Sequence, residues 1–183
     1  MNIPPTLNRM HLKQALKSED VRIFSIIRIT LMFGAVFYLL IVILLYSIGT
    51  PDNQYSPDTE ILDILSIIHL VIAFILISTA FLLSKLVLRK ERLFQQSTAQ
   101  TSEQMALQAV NLYRTSTLLL IVPIEMVAWF GITFCLIGVT NGTIALYPIY
   151  WLNTISTLLL VLIGTATFPT REKALAAMEA AFV

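Results

Sequence analysis

One carboxylate in this chain lies where a membrane would make it costly. Glu125 follows Arg114 by about eleven residues of apolar sequence, roughly 16 Å at ~1.5 Å per helical residue, which is close to the middle of a ~30 Å hydrocarbon core. A charge at that depth costs at least ~2.5 kcal/mol, so the carboxyl must be protonated, paired or wet, and such an acid marks a candidate functional site. Pro123, two residues earlier, has no N–H and frees a backbone carbonyl nearby for a proton, water or cation. Trp129, one turn beyond, is away from the interface that Trp prefers, where it can shield the carboxyl or face a partner chain. His69 and Asn153 fall at similar depths, about 10 to 12 Å from the outer ends of their apolar runs, so they could bond directly. Hydrated, His69, Asn153 and Glu125 would form a relay descending toward the midplane. Dry, Glu125 would act as neutral glue between helices.

These residues need long helices to hold them. The 183 residues are 57% hydrophobic with a mean hydropathy of +0.80, more than a soluble core of that size requires. Four runs reach the ~20 apolar residues that cross a bilayer: 23 to 48, 62 to 88, 115 to 139 and 144 to 168. In lipid the backbone must satisfy itself, so uninterrupted runs of this kind are helices, and the alternation of an outer-membrane barrel is absent. The first run is about twice the length of a signal-peptide apolar region and has no small-residue cleavage site before the polar Thr50 to Tyr55 loop, so it reads as a retained helix.

Charge orients the runs. None of the twelve Lys and Arg lies within 48 to 62 or 138 to 148. The positive-inside rule then puts both termini in the cytoplasm and the protein in the inner membrane as a multi-pass chain. Residues 1–22 form a cytoplasmic segment, in which Thr6 could cap a short helix carrying Leu7, Met10 and Leu16 near one face, with Lys13 and Lys17 reaching headgroups; a frayed tail is the alternative. Residues 89–114 read as a helical cytoplasmic connector, rich in Gln, Ala, Leu, Met and Glu. After a break at Pro169 and Thr170, residues 169–183 suit an amphipathic helix on the inner leaflet, with Leu175, Met178 and Phe182 at helical spacing. The expectation is an all-α polytopic protein, a four-transmembrane-helix bundle in one membrane domain.

Small and polar residues mark the inner faces. Ser66, His69, Ala73, Ala80 and Ser84 share one side of the second run; Ala128, Gly131, Cys135 and Gly138 share one side of the third; Asn153, Ser156, Thr157, Gly164 and Thr167 share one side of the fourth. Lipid supplies no hydrophobic force between helices, so such seams should face each other. Arg28, a turn and a half into the first run, is expected to snorkel to the inner headgroups, and a pair with Glu125 would require it to climb about 10 Å. Tyr147, Tyr150 and Trp151 read as an outer aromatic belt.

The two halves also echo each other. Arg22 stands before the first run as Arg114 does before the third, and Val36-Phe37-Tyr38 falls where Ala128-Trp129-Phe130 does. This is either a pair of tandem helical hairpins, parallel rather than inverted, or the coincidence open to any four-span chain. A duplicated hairpin with a midplane acid resembles the fused proteolipid rotor subunits of rotary ATPases. The residues that carry the resemblance are Pro123, Glu125 and the Phe130-Gly131 that follows. The resemblance implies that Glu125 would bind a translocated proton or sodium ion. It covers one helix only. Rotor helices carry dense glycine repeats where the first run has Gly34 alone; Glu125 begins its pair instead of lying in the pair's second helix; and the first and third loops fall on the side opposite to the rotor pattern. No rotor function is inferred.

Other chemistry is not supported. A formal charge of +1 gives no case for nucleic acid. The single Cys135 excludes an intramolecular disulfide and a Cys-based metal cluster. No metal spacing, nucleophile elbow or phosphate loop is present. The reading is therefore a non-enzymatic protein without cofactor or metal, whose partners are the bilayer and other membrane subunits or copies of itself. Two functions fit: an accessory or structural membrane subunit, or a proton- or cation-translocating protein that uses Glu125.

Overall fold

A computed structural model describes residues 7–49, 59–89 and 101–182, and every regular element among them is helical. In order they are α1 (Arg9–Ala15), α2 (Ser18–Ile48), α3 (Thr59–Val87), α4 (Ser102–Thr140), α5 (Thr143–Leu146), a 3-10 helix (Pro148–Thr154), α6 (Ile155–Ala166) and α7 (Arg171–Phe182). Among the described residues four stretches are long and apolar enough to cross a membrane: α2, α3, α4 and Pro148–Ala166. Thr6, the Thr50 to Tyr55 loop and the first half of the connector lie outside the described residues.

Local chemistry accounts for the helix starts. Asn8, with extended backbone, caps α1 by accepting from the His11 N–H at 3.0 Å. At α4 the Thr101 hydroxyl accepts from Gln104 N–H (3.4 Å), while the Gln104 side chain accepts from Thr101 N–H (3.0 Å), a reciprocal capping box. That box starts a helix of 39 residues, so the described part of the connector and the third apolar run are one continuous rod. Pro123 sits inside it without ending it. Gly142, at φ +74°, supplies the left-handed turn between α4 and α5, a conformation that costs a residue with a Cβ.

The fourth run departs from expectation. In place of one α-helix over 144 to 168 there are three segments: the end of α5, then the 3-10 helix, which begins at a proline, then α6. Asn153 Nδ2 donates to the Tyr150 carbonyl, Thr154 Oγ1 to that of Trp151 and Ser156 Oγ to that of Asn153, each three residues back, so side chains occupy the carbonyls of this tight segment. Because a 3-10 residue rises ~2.0 Å against ~1.5 Å in an α-helix, Pro148–Ala166 still reaches about 32 Å.

The chain divides into two compact units. The first comprises Met1–Arg28, Ala80–Leu120 and Thr167–Val183; the second comprises Ile29–Thr79 and Ile121–Ala166. The first has an apolar core of Leu7, Leu12, Leu16 and Phe24 with Met105, Ala109 and Tyr113 of α4 and Leu175, Met178 and Phe182 of α7. The apolar face of α7, expected at the inner leaflet, packs against protein. Met10 also differs from expectation, being 67% exposed while Leu7 and Leu16 are buried. Thr170 starts α7, its hydroxyl accepting from Lys173 N–H at 3.3 Å.

Arg9 of α1 pairs with Glu172 (3.8 Å) and Glu179 (3.6 Å) of α7. These groups are solvated, and exposed pairs contribute little. Arg9→Ala is therefore expected to lower stability by no more than about 1 kcal/mol, measured by thermal unfolding in detergent, because the apolar core beneath holds the two helices.

Arg28 corrects a second expectation. It does not snorkel: it is 2% exposed, and its Nη1 donates to both the carbonyl and the hydroxyl of Thr167 (2.9 Å to Oγ1). Ser25 Oγ donates to the Pro169 carbonyl at 3.3 Å, one turn before. Carbonyls after the end of α6 have no helical donor, and a cation satisfies them well. Arg28 thus fastens the 167–169 bend to α2.

In the second unit the small-residue seam of α4 is buried throughout, at Ala128, Gly131, Cys135 and Gly138. Large apolar side chains point outward instead, among them Phe33, Leu40, Leu70, Phe74, Leu158 and Leu162. A soluble monomer rarely shows so continuous an apolar surface; helices packed by small residues and sheathed in lipid do.

Candidate functional site

Among its described residues the second unit holds two polar groupings, each of which involves α4. In the first, three segments meet at Gly131. A Cβ on Gly131 would run into the Asn153 carbonyl and lie 2.8 Å from both His69 Cε1 and Ser156 Oγ, so only glycine lets α3, α4 and the 3-10 helix approach this closely. The approach brings His69 Nδ1 to 3.0 Å from Asn153 Oδ1 and His69 Nε2 to 3.1 Å from the Val127 carbonyl. Asn153 Nδ2 donates to Ser66 Oγ at 2.9 Å and to the Tyr150 carbonyl at 3.0 Å. His69 and Asn153 are 7% and 6% exposed, and Phe134 packs edge-on to the imidazole with ring centroids 5.7 Å apart. The bond between His69 and Asn153 that equal depth suggested is present.

The knot extends through a residue whose role the sequence did not reveal. Tyr150, taken as part of an aromatic belt, is buried, and its hydroxyl donates to Asp63 Oδ1 at 2.6 Å. Its carbonyl collects Asn153 Nδ2 and, at 3.4 Å, Cys135 Sγ. The signal was the spacing: Tyr150, Asn153 and Ser156 recur every three residues, which a 3-10 start aligns on one face. Asp63 carried no comparable signal.

The second grouping surrounds Glu125. Its carboxylate accepts from Trp129 Nε1 at 3.1 Å, one turn along the same helix, which is the shielding geometry expected of Trp129. Trp129 stacks on Tyr38 of α2, with centroids 4.9 Å apart and planes inclined by 26°. Gly34, one turn before Tyr38, receives the indole edge, and a Cβ there would lie 3.6 Å from Trp129 Cζ2, an ordinary contact. Gly34→Ala should therefore leave the Trp129 fluorescence maximum unchanged and raise thermal stability slightly, since a mid-helix glycine is less favourable than alanine by about 0.5–1 kcal/mol. A red shift would mean that the indole has lost its seat.

The structure bonds His69 to Asn153, and neither makes a direct hydrogen bond to Glu125. His69 bonds the Val127 carbonyl, whereas the bond to Glu125 comes from Trp129. Pro123 supports the second grouping only through the backbone: without its N–H, the Leu119 carbonyl has no partner at the fourth residue on. Glu125 is half-buried on a face otherwise made of exposed apolar side chains, Val122, Met126, Trp129 and Phe130. Among the described residues no cluster of three or more His, Cys, Asp or Glu side chains could hold a metal ion. Neither a family model nor a curated protein nor a solved structure matches this chain.

Proposed function

We propose that this protein is a small accessory subunit of the inner membrane, non-enzymatic and multi-pass, with both termini cytoplasmic, which docks against a helix of a neighbouring membrane protein or of a second copy through the α4 face that carries Glu125. The supporting observation is the half-buried carboxylate, bonded only along its own helix, on an otherwise apolar exposed face. Hydrogen bonds inside membranes contribute ~0.6 kcal/mol on average and at most ~1.7, so one indole N–H does not offset the ~2.5 kcal/mol or more that an acid costs at this depth. Lipid tails offer no donor. A partner helix with a polar side chain does.

The proposed topology follows from the absence of Lys and Arg in 48 to 62 and 138 to 148. A cysteine introduced at Ser56 into a Cys135→Ser background should react with an impermeant maleimide on intact cells. Reaction only after lysis would invert the proposed orientation.

A proton- or cation-translocating protein that uses Glu125 is the second reading. Pro123 and the fact that Glu125 is the one acid within the 115 to 139 apolar run favour it, and the lack of a direct hydrogen bond to His69 or Asn153 weighs against it. Two substitutions separate the readings. Glu125→Gln keeps hydrogen-bonding capacity and should retain a co-purifying partner, whereas Glu125→Leu should lose most of it; purified wild type in liposomes should carry no pH-driven flux. Flux abolished by Glu125→Gln would establish the second reading instead.

A further inference from the structure

We propose that the cleft between α1 and α7 seats one phospholipid headgroup that carries a primary ammonium beside its phosphate, as phosphatidylethanolamine does; Glu125 and the α4 face have no part in it. The cleft has a volume of about 360 Å³ and is lined by Arg9, Met10, Lys13, Glu172 and Leu175, all in the first unit, which is within the ~300–1,000 Å³ of small-ligand sites. Arg9 and Lys13 stand one turn apart on the same face of α1, and Glu172 lies opposite in the first turn of α7. Two cations suit a phosphate, the guanidinium as a fork of N–H donors and the ammonium as a point charge. Arg9 has donors to spare, because its carboxylate partners Glu172 and Glu179 lie at 3.8 and 3.6 Å, both beyond hydrogen-bond range. Among the described residues no carboxylate is within ion-pair distance of the Lys13 ammonium. A plain anion would meet the Glu172 carboxylate in the same cleft and be repelled by it. A headgroup with an ammonium makes that carboxylate a partner.

The chain path puts this cleft at the level of lipid headgroups. α1 ends at Ala15 and α2 starts at Ser18, with exposed apolar side chains from Ile23 onward; on the other wall, α7 starts at Arg171 soon after α6 ends at Ala166. Arg171 Nη2 donates to the Lys13 carbonyl at 3.2 Å, which fastens the last turn of α1 to the first residue of α7. Both walls therefore adjoin the ends of apolar helices, where the phosphates of a bilayer lie. That depth also gives Met10 a use. Leu175, 2% exposed, closes the floor of the cleft, whereas Met10 is 67% exposed beside two cations. In water such a side chain gains nothing; against the glycerol and first acyl carbons of a lipid held by Arg9 and Lys13 it is covered. Basic pockets at a membrane boundary hold anionic headgroups, and Glu172 is what tunes this one to a zwitterion.

Native mass spectrometry of the full-length protein in mild detergent tests this, with phosphatidylethanolamine and phosphatidylglycerol of identical acyl chains added in equal amounts. One molecule of phosphatidylethanolamine should be retained in preference to phosphatidylglycerol by about fivefold, the ratio that one solvated charge pair can supply. Glu172→Gln should abolish the preference, and Lys13→Ala should weaken retention of both lipids. Both side chains are exposed, so neither variant endangers the fold. Equal retention of the two lipids by the wild type, a preference untouched by Glu172→Gln, or retention unchanged in Lys13→Ala would each overturn the proposal. Free phosphoethanolamine, which has no acyl carbons to lay on Met10, should leave the bound lipid in place. Displacement by it would show that the cleft takes a soluble phosphate compound, and lipid-free dimers lost on Lys13→Ala would put a second copy of the chain there; either result would also overturn the lipid assignment.

Discussion

Gly131→Ala is expected to destabilise the second unit by at least about 3 kcal/mol, although it adds a single methyl group. Overpacking ordinarily costs ~1–3 kcal/mol because neighbouring side chains move aside. At Gly131 the first obstacle is the Asn153 backbone carbonyl, and His69 and Ser156 close the other sides at 2.8 Å. The backbone carbonyl cannot rotate away, and the His69 ring is held by its bonds to Asn153 and Val127. Gly164 is the matched control: a Cβ on it would meet the thioether of Met32, a flexible side chain that can change rotamer. Gly164→Ala should cost about 1 kcal/mol or less. Denaturant unfolding in mixed micelles compares the two, and equal losses would show that α4 and the 3-10 helix are not in backbone contact at Gly131.

Asn153→Ala should cost about 2–4 kcal/mol. It removes three side-chain bonds, to His69, to Ser66 and to the Tyr150 carbonyl. At the ~0.6 kcal/mol typical of membrane interiors, three bonds account for roughly 2 kcal/mol, and the buried groups left unpaired raise the figure, since each orphan costs ~1–3 kcal/mol. Cys135→Ala, which gives up a weak 3.4 Å thiol contact to the same Tyr150 carbonyl, should cost much less. His69→Gln combined with Asn153→Ala should lose less than the sum of the single losses, because the two side chains belong to one network. Strict additivity by the same unfolding measurement would mean that the network does not act as a unit.

Much of this arrangement is legible in the sequence because lipid simplifies the rules. With no hydrophobic force between helices, small and polar residues have to mark the packed faces, and Ser66, His69, Gly131, Cys135, Asn153, Ser156 and Gly164 all lie on the faces that their spacing indicated. Depth along the helix then paired His69 with Asn153. Hydropathy, by contrast, cannot distinguish an α-helix from a 3-10 helix. The start at Pro148, and with it the inward turn of Tyr150, is therefore not readable from hydropathy, and only the three-residue spacing of Tyr150, Asn153 and Ser156 hints at it. The same measure read Leu175, Met178 and Phe182 as an amphipathic face without indicating whether lipid or protein would cover it. Arg28 was misread for a related reason: a cation near a helix end has two outlets, headgroups or orphan carbonyls, and sequence does not say that Thr167 is within reach.

Glu125 was conspicuous for its cost, and it makes no direct hydrogen bond to His69 or Asn153. The subunit reading therefore depends on what lies against the α4 face, and photocrosslinking in native membranes tests it most directly. A photoreactive residue at Met126, on the exposed face beside Glu125, should give one discrete adduct with a membrane protein or a second copy of this chain, and Glu125→Leu should abolish that adduct. The same probe at Leu70 on α3, 71% exposed, should give lipid adducts alone. Lipid adducts alone at Met126 as well would contradict the account.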